Sequence, residues 1–156
     1  MNHVRDAVRT ADDIFSALEG EWCLNRNIEA QATMQGRAQF TRLRQDILAY
    51  HEEGNLRLAS GTKFNAERDY IFERRSNGFA VFFPETPPRL FHSVNLKRAE
   101  VSFWGTATHL CKADFYETRY DFYSRDLFVI EHRVSGPRKD YSIRSEYQRL
   151  HRSELS

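Results

Sequence analysis

Two cysteines, four prolines and seven glycines in 156 residues give this chain few of the residues that staple, break or loosen a fold. Cys23 and Cys111 are too few for a disulfide framework in a chain long enough to bury its own core, so both are expected to be reduced. Long apolar runs are missing as well. The longest stretch without Asp, Glu, Lys or Arg is Val101 to Cys111, about half of the roughly 20 apolar residues that a spanning helix needs. The N-terminus carries no signal-peptide apolar segment, which leads us to expect a cytoplasmic protein with no membrane partner. Charge of one sign is also lacking. With 23 Lys+Arg against 22 Asp+Glu the formal net charge is +1, and neither a basic stripe nor a stacking-aromatic motif marks a nucleic-acid partner.

Several chemical signatures are absent too. The chain has no Gly-x-Ser-x-Gly elbow, no glycine-rich phosphate loop and no dinucleotide fingerprint, so hydrolase, kinase and dehydrogenase readings have no motif behind them. His109-x-Cys111 puts two soft ligands on one strand face, but no second pair with zinc-site spacing accompanies it, and His51-Glu52 lacks the later histidine of a zinc-protease helix. Neither a metal nor a cofactor is expected.

What the chain has in quantity is aromatic residues, 12 Phe, 7 Tyr and 2 Trp, spread along its whole length. That apolar content excludes a disordered chain, and the length fits one domain over residues 1–156, with residues 1–9 as a flexible arm. Ala11, Ile14, Phe15 and Leu18 fall at helical spacing, Thr10 and Asp13 make a capping pair, and Gly20 permits the stop. The spacing predicts a short helix over Ala11 to Leu18. After Gly20, period-two alternation recurs throughout. It predicts strands near Trp22–Glu29, around Ala38 and Phe40 after a turn at Gly36, and over Ile47–Leu58 and Phe64–Arg74. The pattern continues at Phe79–Phe83, Arg89–Val94, Ser102–Cys111, Asp114–Ser124, Leu127–Ser135 and Tyr141–His151. Eight to ten strands with short connections and no interposed helix make an antiparallel meander, and closing it into an up-and-down barrel removes its edges. The expected fold class is all-β.

Gly20-Glu21-Trp22, following a short helix and opening the first strand, resembles the Gly-x-Trp of the calycin group of lipocalin-like barrels. Three further stretches resemble a bacterial and fungal lipocalin-like family of uncharacterised function: Trp22-x-Leu24-x-Arg26-x-Ile28, His109-Leu110-Cys111-x-x-Asp114-x-Tyr116, and Gly136-Pro137-Arg138-Lys139-Asp140-Tyr141. The resemblance implies a lipocalin-like barrel with an interior pocket and lends no reaction. Leu24 and Arg26 stand where haem-binding nitrobindin-like barrels carry further glycines, which argues against haem.

If Trp22 faces inward, alternation also turns Arg26, Glu52, Arg68, Tyr70, His109, Tyr116, Tyr120, His132 and Tyr147 inward. Buried charges need partners, so two readings stand open. In one, Arg26 and Arg68 pair with Glu52 or Asp114 inside a filled barrel. In the other, the guanidinium forks meet the carboxylate or phosphate of a small anionic ligand while the tyrosines, His109 and His132 line its body. Pro137 stiffens a turn that presents Arg138 and Lys139, and Lys139 joins the candidate ligand contacts. The alternative is an acid–base enzyme of isomerase or cyclase type, with His109 oriented by Asp114 and with Tyr116 stabilising an oxyanion. Besides the small-molecule ligand, a homodimer is the one partner left open.

Overall fold

The computed structural model describes residues 8–151. Among these residues one helix, α1 (Ala11–Leu18), precedes eleven strands: β1 (Gly20–Ile28), β2 (Ala32–Arg44), β3 (Ile47–Leu58), β4 (Lys63–Arg75), β5 (Gly78–Phe83), β6 (Arg89–Asn95), β7 (Lys97–Ala99), β8 (Ser102–Cys111), β9 (Asp114–Ser124), β10 (Leu127–Ser135) and β11 (Asp140–Arg149). Every ladder is antiparallel and joins strands adjacent in sequence, except for β1 with β11, which brings the meander round into a nearly closed up-and-down barrel. The eleventh strand, beyond the eight to ten expected, is β7. At three residues it is too short to show alternation. Of the arm expected over residues 1–9, residues 1–7 lie outside the described part, and Val8 packs against the core.

One expected turn moves. Gly36 does not close the first hairpin; it lies inside β2 directly opposite Gly54 of β3. A Cβ there would sit 2.1 Å from the Glu53 carbonyl oxygen, so the glycine is needed for close approach between strands. The turn falls on residues 29–31, where Ala30 takes a positive φ of 58°.

The helix closes one end. Its capping box forms as read, with Thr10 Oγ1 accepting from the Asp13 N–H at 3.1 Å and Asp13 accepting from the Thr10 N–H at 2.9 Å. Ile14, Phe15 and Leu18 are buried beneath an aromatic layer that includes Trp22, Phe40, Phe72, Phe79, Phe122 and Phe128. At the far end of α1 the carbonyl groups that a helix leaves without partners are satisfied by side chains. The Trp22 indole N–H donates to Leu18 at 2.9 Å, and Arg149 donates to the carbonyls of Ala17 and Glu19 while its guanidinium lies 4.3 Å over the Trp22 ring. Gly20, with φ +126°, lets the chain leave the helix and enter β1 at once. With this end sealed, the polar inner positions fall in the middle and at the opposite mouth.

Candidate functional site

Above the aromatic layer the barrel is hollow. A cavity of ≈ 350 Å³ opens toward the mouth, and its wall is apolar and aromatic over most of its extent, with Ile28, Leu56, Phe91 and Ile143 among its residues. Seven of the nine side chains expected to contact a ligand line it: Arg26, Arg68, Tyr70, Tyr116, Tyr120, His132 and Tyr147. His109 and Lys139 stand apart from it. His109 packs edge-on against Phe91 at 5.1 Å, and Lys139 at the rim pairs with Asp114 at 2.8 Å.

The cavity floor is ionised and internally paired. Arg26 meets Glu52 with both forks, Nη1 to Oε2 at 2.6 Å and Nη2 to Oε1 at 2.9 Å, and its Nε donates to Ser145 Oγ at 2.7 Å. Nη2 also reaches Tyr147 OH at 3.4 Å and Nη1 approaches Met34 Sδ at 3.8 Å. Tyr50 completes the group, donating to Glu52 at 2.6 Å and sharing a 2.9 Å hydrogen bond with Tyr147. Burial opposes ionisation of Glu52, yet the hydrogen bond and charge of Arg26 outweigh it and hold the carboxyl below the usual range. Burial likewise opposes the charge on Arg26, and its acidic neighbours, led by Glu52, more than restore it. Tyr147, pushed up by the same burial to about 12, stays protonated. Of the two readings left open for Arg26, pairing with Glu52 is what forms, but the barrel around the pair is not filled.

Arg68 differs. It stands beside the mouth on β4, and its single side-chain hydrogen bond among the described residues is to Tyr70 OH at 3.3 Å; no carboxylate lies within ion-pair distance. The residue is exposed, and its charge is favoured first by Tyr70.

The opposite wall is neutral. His132 Nδ1 hydrogen-bonds Thr118 Oγ1 at 2.8 Å, and His92 Nε2 bonds Tyr120 OH at 2.8 Å. Burial lowers His92 to about 3, with His132 and His109 adding to the effect. It lowers His132 to about 4, helped by the charges of Arg26 and Arg68. Phe91 lies against this wall, 4.3 Å from the His92 ring and 6.5 Å from His132.

The acid–base pair expected from sequence does not come together, because Asp114 is held by Lys139 and no hydrogen bond joins it to His109 among the described residues. Tyr116 is near His109, with ring centroids 6.2 Å apart, and lines the cavity without a hydrogen bond to it. Sequence reasoning missed His92, Tyr50, Ser145 and Thr118. Tyr50 and Ser145 share the inward parity of Glu52 and Tyr147, which was the available signal; for His92, a bulge between Val81 and Phe82 disturbs the ladder it belongs to. Away from the cavity, His51, Glu53 and Glu67 on the outer face have ligand atoms within 4.8 Å of one another, and His51 is engaged by Asp69 at 2.8 Å.

These features define an antiparallel barrel with one sealed end, one open end and a mixed polar and aromatic interior. The chain belongs to a family of unknown function (DUF6314), whose model matches residues 18–149 and so takes in every residue of the cavity. No curated protein matches it. Among solved structures it is similar to a redesigned β-barrel, at 13% identity and a TM-score of 0.47 over 93% of this chain and 99% of that one. A redesigned β-barrel bound to DFHBI is 13% identical with a TM-score of 0.44, covering 90% of this chain and 100% of that one. A de novo designed fluorescence-activating barrel is 12% identical with a TM-score of 0.46, over 86% and 95%. Among the described residues no helix is long and apolar enough to cross a membrane.

Proposed function

We propose that this protein binds a small anionic molecule inside the barrel, with Arg68 as the anchor for the acidic group. The observation that carries the reading is a ≈ 350 Å³ cavity, largely aromatic and aliphatic, with a guanidinium on its wall whose side-chain partner among the described residues is a tyrosine hydroxyl and not a carboxylate. Arg68 is exposed at the mouth, so its planar fork is accessible to a carboxylate or phosphate entering the cavity and can grip it through paired hydrogen bonds. Arg26 is the weaker candidate because its donors are already directed at Glu52, Ser145 and Tyr147. In this reading the barrel is the lipocalin-like container that Gly20-Glu21-Trp22 resembles, working in the cytoplasm.

Titration with the anionic fluorophore anilinonaphthalene sulfonate tests it. Arg68→Ala is expected to weaken binding about tenfold or more, a loss of about 1.4 kcal/mol, while the melting temperature changes little. Unchanged affinity in that variant would remove Arg68 as the anchor, and the anionic ligand with it.

A further inference from the structure

The histidine wall carries more than its neutrality. His92 is 3% exposed, and its Nδ1 is buried without a hydrogen-bond partner among the described residues. An imidazole in that position has two neutral forms. With the proton on Nδ1, a buried N–H would be orphaned, an arrangement native proteins avoid more strictly than a bare acceptor. The proton therefore sits on Nε2 and is donated to the Tyr120 oxygen 2.8 Å away. Tyr120 makes no other side-chain hydrogen bond among the described residues, and it lines the cavity. Its own O–H is thus left for an acceptor inside the barrel.

The same logic applies one step along the ladder. Thr118 is 2% exposed, and its hydroxyl proton has His132 Nδ1 as its acceptor at 2.8 Å. Donation in that direction puts the proton of the His132 ring on Nε2, which has no protein partner among the described residues and belongs to a ring that lines the cavity. Thr118 faces His132 across the β9–β10 ladder and Tyr120 faces Ile130, which makes Tyr120 and His132 diagonal neighbours on one inner face. Such diagonals are about 7–8 Å apart, close enough for two long side chains to converge on one group.

Resting on the binding reading above, we infer that Tyr120 and His132 form a second, uncharged subsite, two hydrogen-bond donors for a neutral oxygen, so that the ligand is a flat acid also bearing a carbonyl. The acid meets Arg68 and the carbonyl meets this wall, with Phe91 and Tyr70 against the ring system between them. Tyr70 and Phe91 are themselves stacked, 5.8 Å apart and inclined by 17°, a surface suited to a planar body. Low proton affinity supports the assignment, since burial keeps both imidazoles uncharged at neutral pH.

A matched pair of probes tests it: fluorene-2-carboxylate and fluorenone-2-carboxylate, which differ by one carbonyl oxygen. Calorimetric titration of the full chain is expected to show the ketone bound about tenfold more tightly, the worth of one to two neutral hydrogen bonds. Tyr120→Phe, which removes only the hydroxyl, is expected to reduce that preference several-fold, read as the ratio of the two acids' affinities within the same variant. Arg68→Ala is expected to weaken both acids alike. Equal binding of the two acids by the full chain overturns the subsite while leaving the binding reading standing, whereas failure to bind either acid or the fluorescent sulfonate removes both. Should Tyr120→Phe not fold, nitrogen-15 chemical shifts of His92 in the unaltered chain decide the matter. A bare Nδ1 supports the assignment, and a protonated Nδ1 overturns it.

Discussion

Arg26 and Glu52 show how a charge enters a barrel interior without a ligand. Both are inward by simple alternation, but their pairing is not visible in either strand. In the ladders Glu52 is level with Ala38 and Trp22, while Arg26 is level with Met34 and Leu56, four residues further along. Only the tilt of strands in a closed barrel, together with the length of an arginine side chain, brings the two together. For this reason the residue identities of the cavity were largely legible, whereas the Arg26–Glu52 contact stood in the sequence only as one of two open readings. The energetic consequence is one-sided: removing one partner strands the other. Glu52→Leu is expected to cost about 3 kcal/mol in urea unfolding, and combining it with Arg26→Met is expected to recover most of that. A single variant as stable as the parent would show that the pair is effectively solvated. His109 and Asp114 teach the converse. Their spacing on neighbouring strands suggested partnership, but Lys139, arriving on the turn before β11, takes the carboxylate first at 2.8 Å.

Among the elements, those with a clear period were readable almost to the residue: α1 by its helical spacing and capping pair, and β8, β9 and β10 by alternation, have the bounds that the sequence predicts. The failures have local physical causes. β7 spans three residues, less than two periods of a strand. Gly36 has the residue type of a turn, but its role depends on a partner 18 positions later that no local window contains. With Gly36 and Gly54 facing each other, an added methyl at Gly36 would meet main-chain atoms at 2.1 and 2.7 Å, and main chain yields less readily than a side-chain tip. Gly36→Ala is expected to lower stability by about 1–3 kcal/mol, measured as a shift in the denaturant midpoint. An unmoved midpoint would mean that β2 and β3 part freely at this position.

For the whole molecule, acid is the condition to which this interior is most sensitive. His92 and His132 are neutral in the folded state, with values of about 3 and about 4, and each would titrate near 6.5 once unfolded. Below that value the unfolded chain binds protons the native chain refuses. The stability they contribute is therefore intact above pH 6.5 and is lost as pH falls, at about 1.4 kcal/mol per histidine per pH unit. Between pH 7 and pH 5 the loss is expected to be on the order of 4 kcal/mol, read from denaturation midpoints across the range. His51 acts in the opposite direction, its proton favoured by hydrogen bonding to Asp69, but it is exposed and screened. Glu52 adds to the acid loss only once carboxylates begin to titrate. A flat profile would mean that the histidine wall is wetter than its burial implies.

The two margins of the sheet, β6 on one side and β7 with β8 on the other, follow one another in sequence and touch without sharing a ladder. Gly105 of β8 lies so close to Val94 and the Asn95 carbonyl that a methyl there would overlap both. The cylinder is therefore built like a split ring. Along this line the circumference is joined by close contact in place of a backbone ladder, and Phe91 of the cavity wall meets His109 there, edge to face at 5.1 Å.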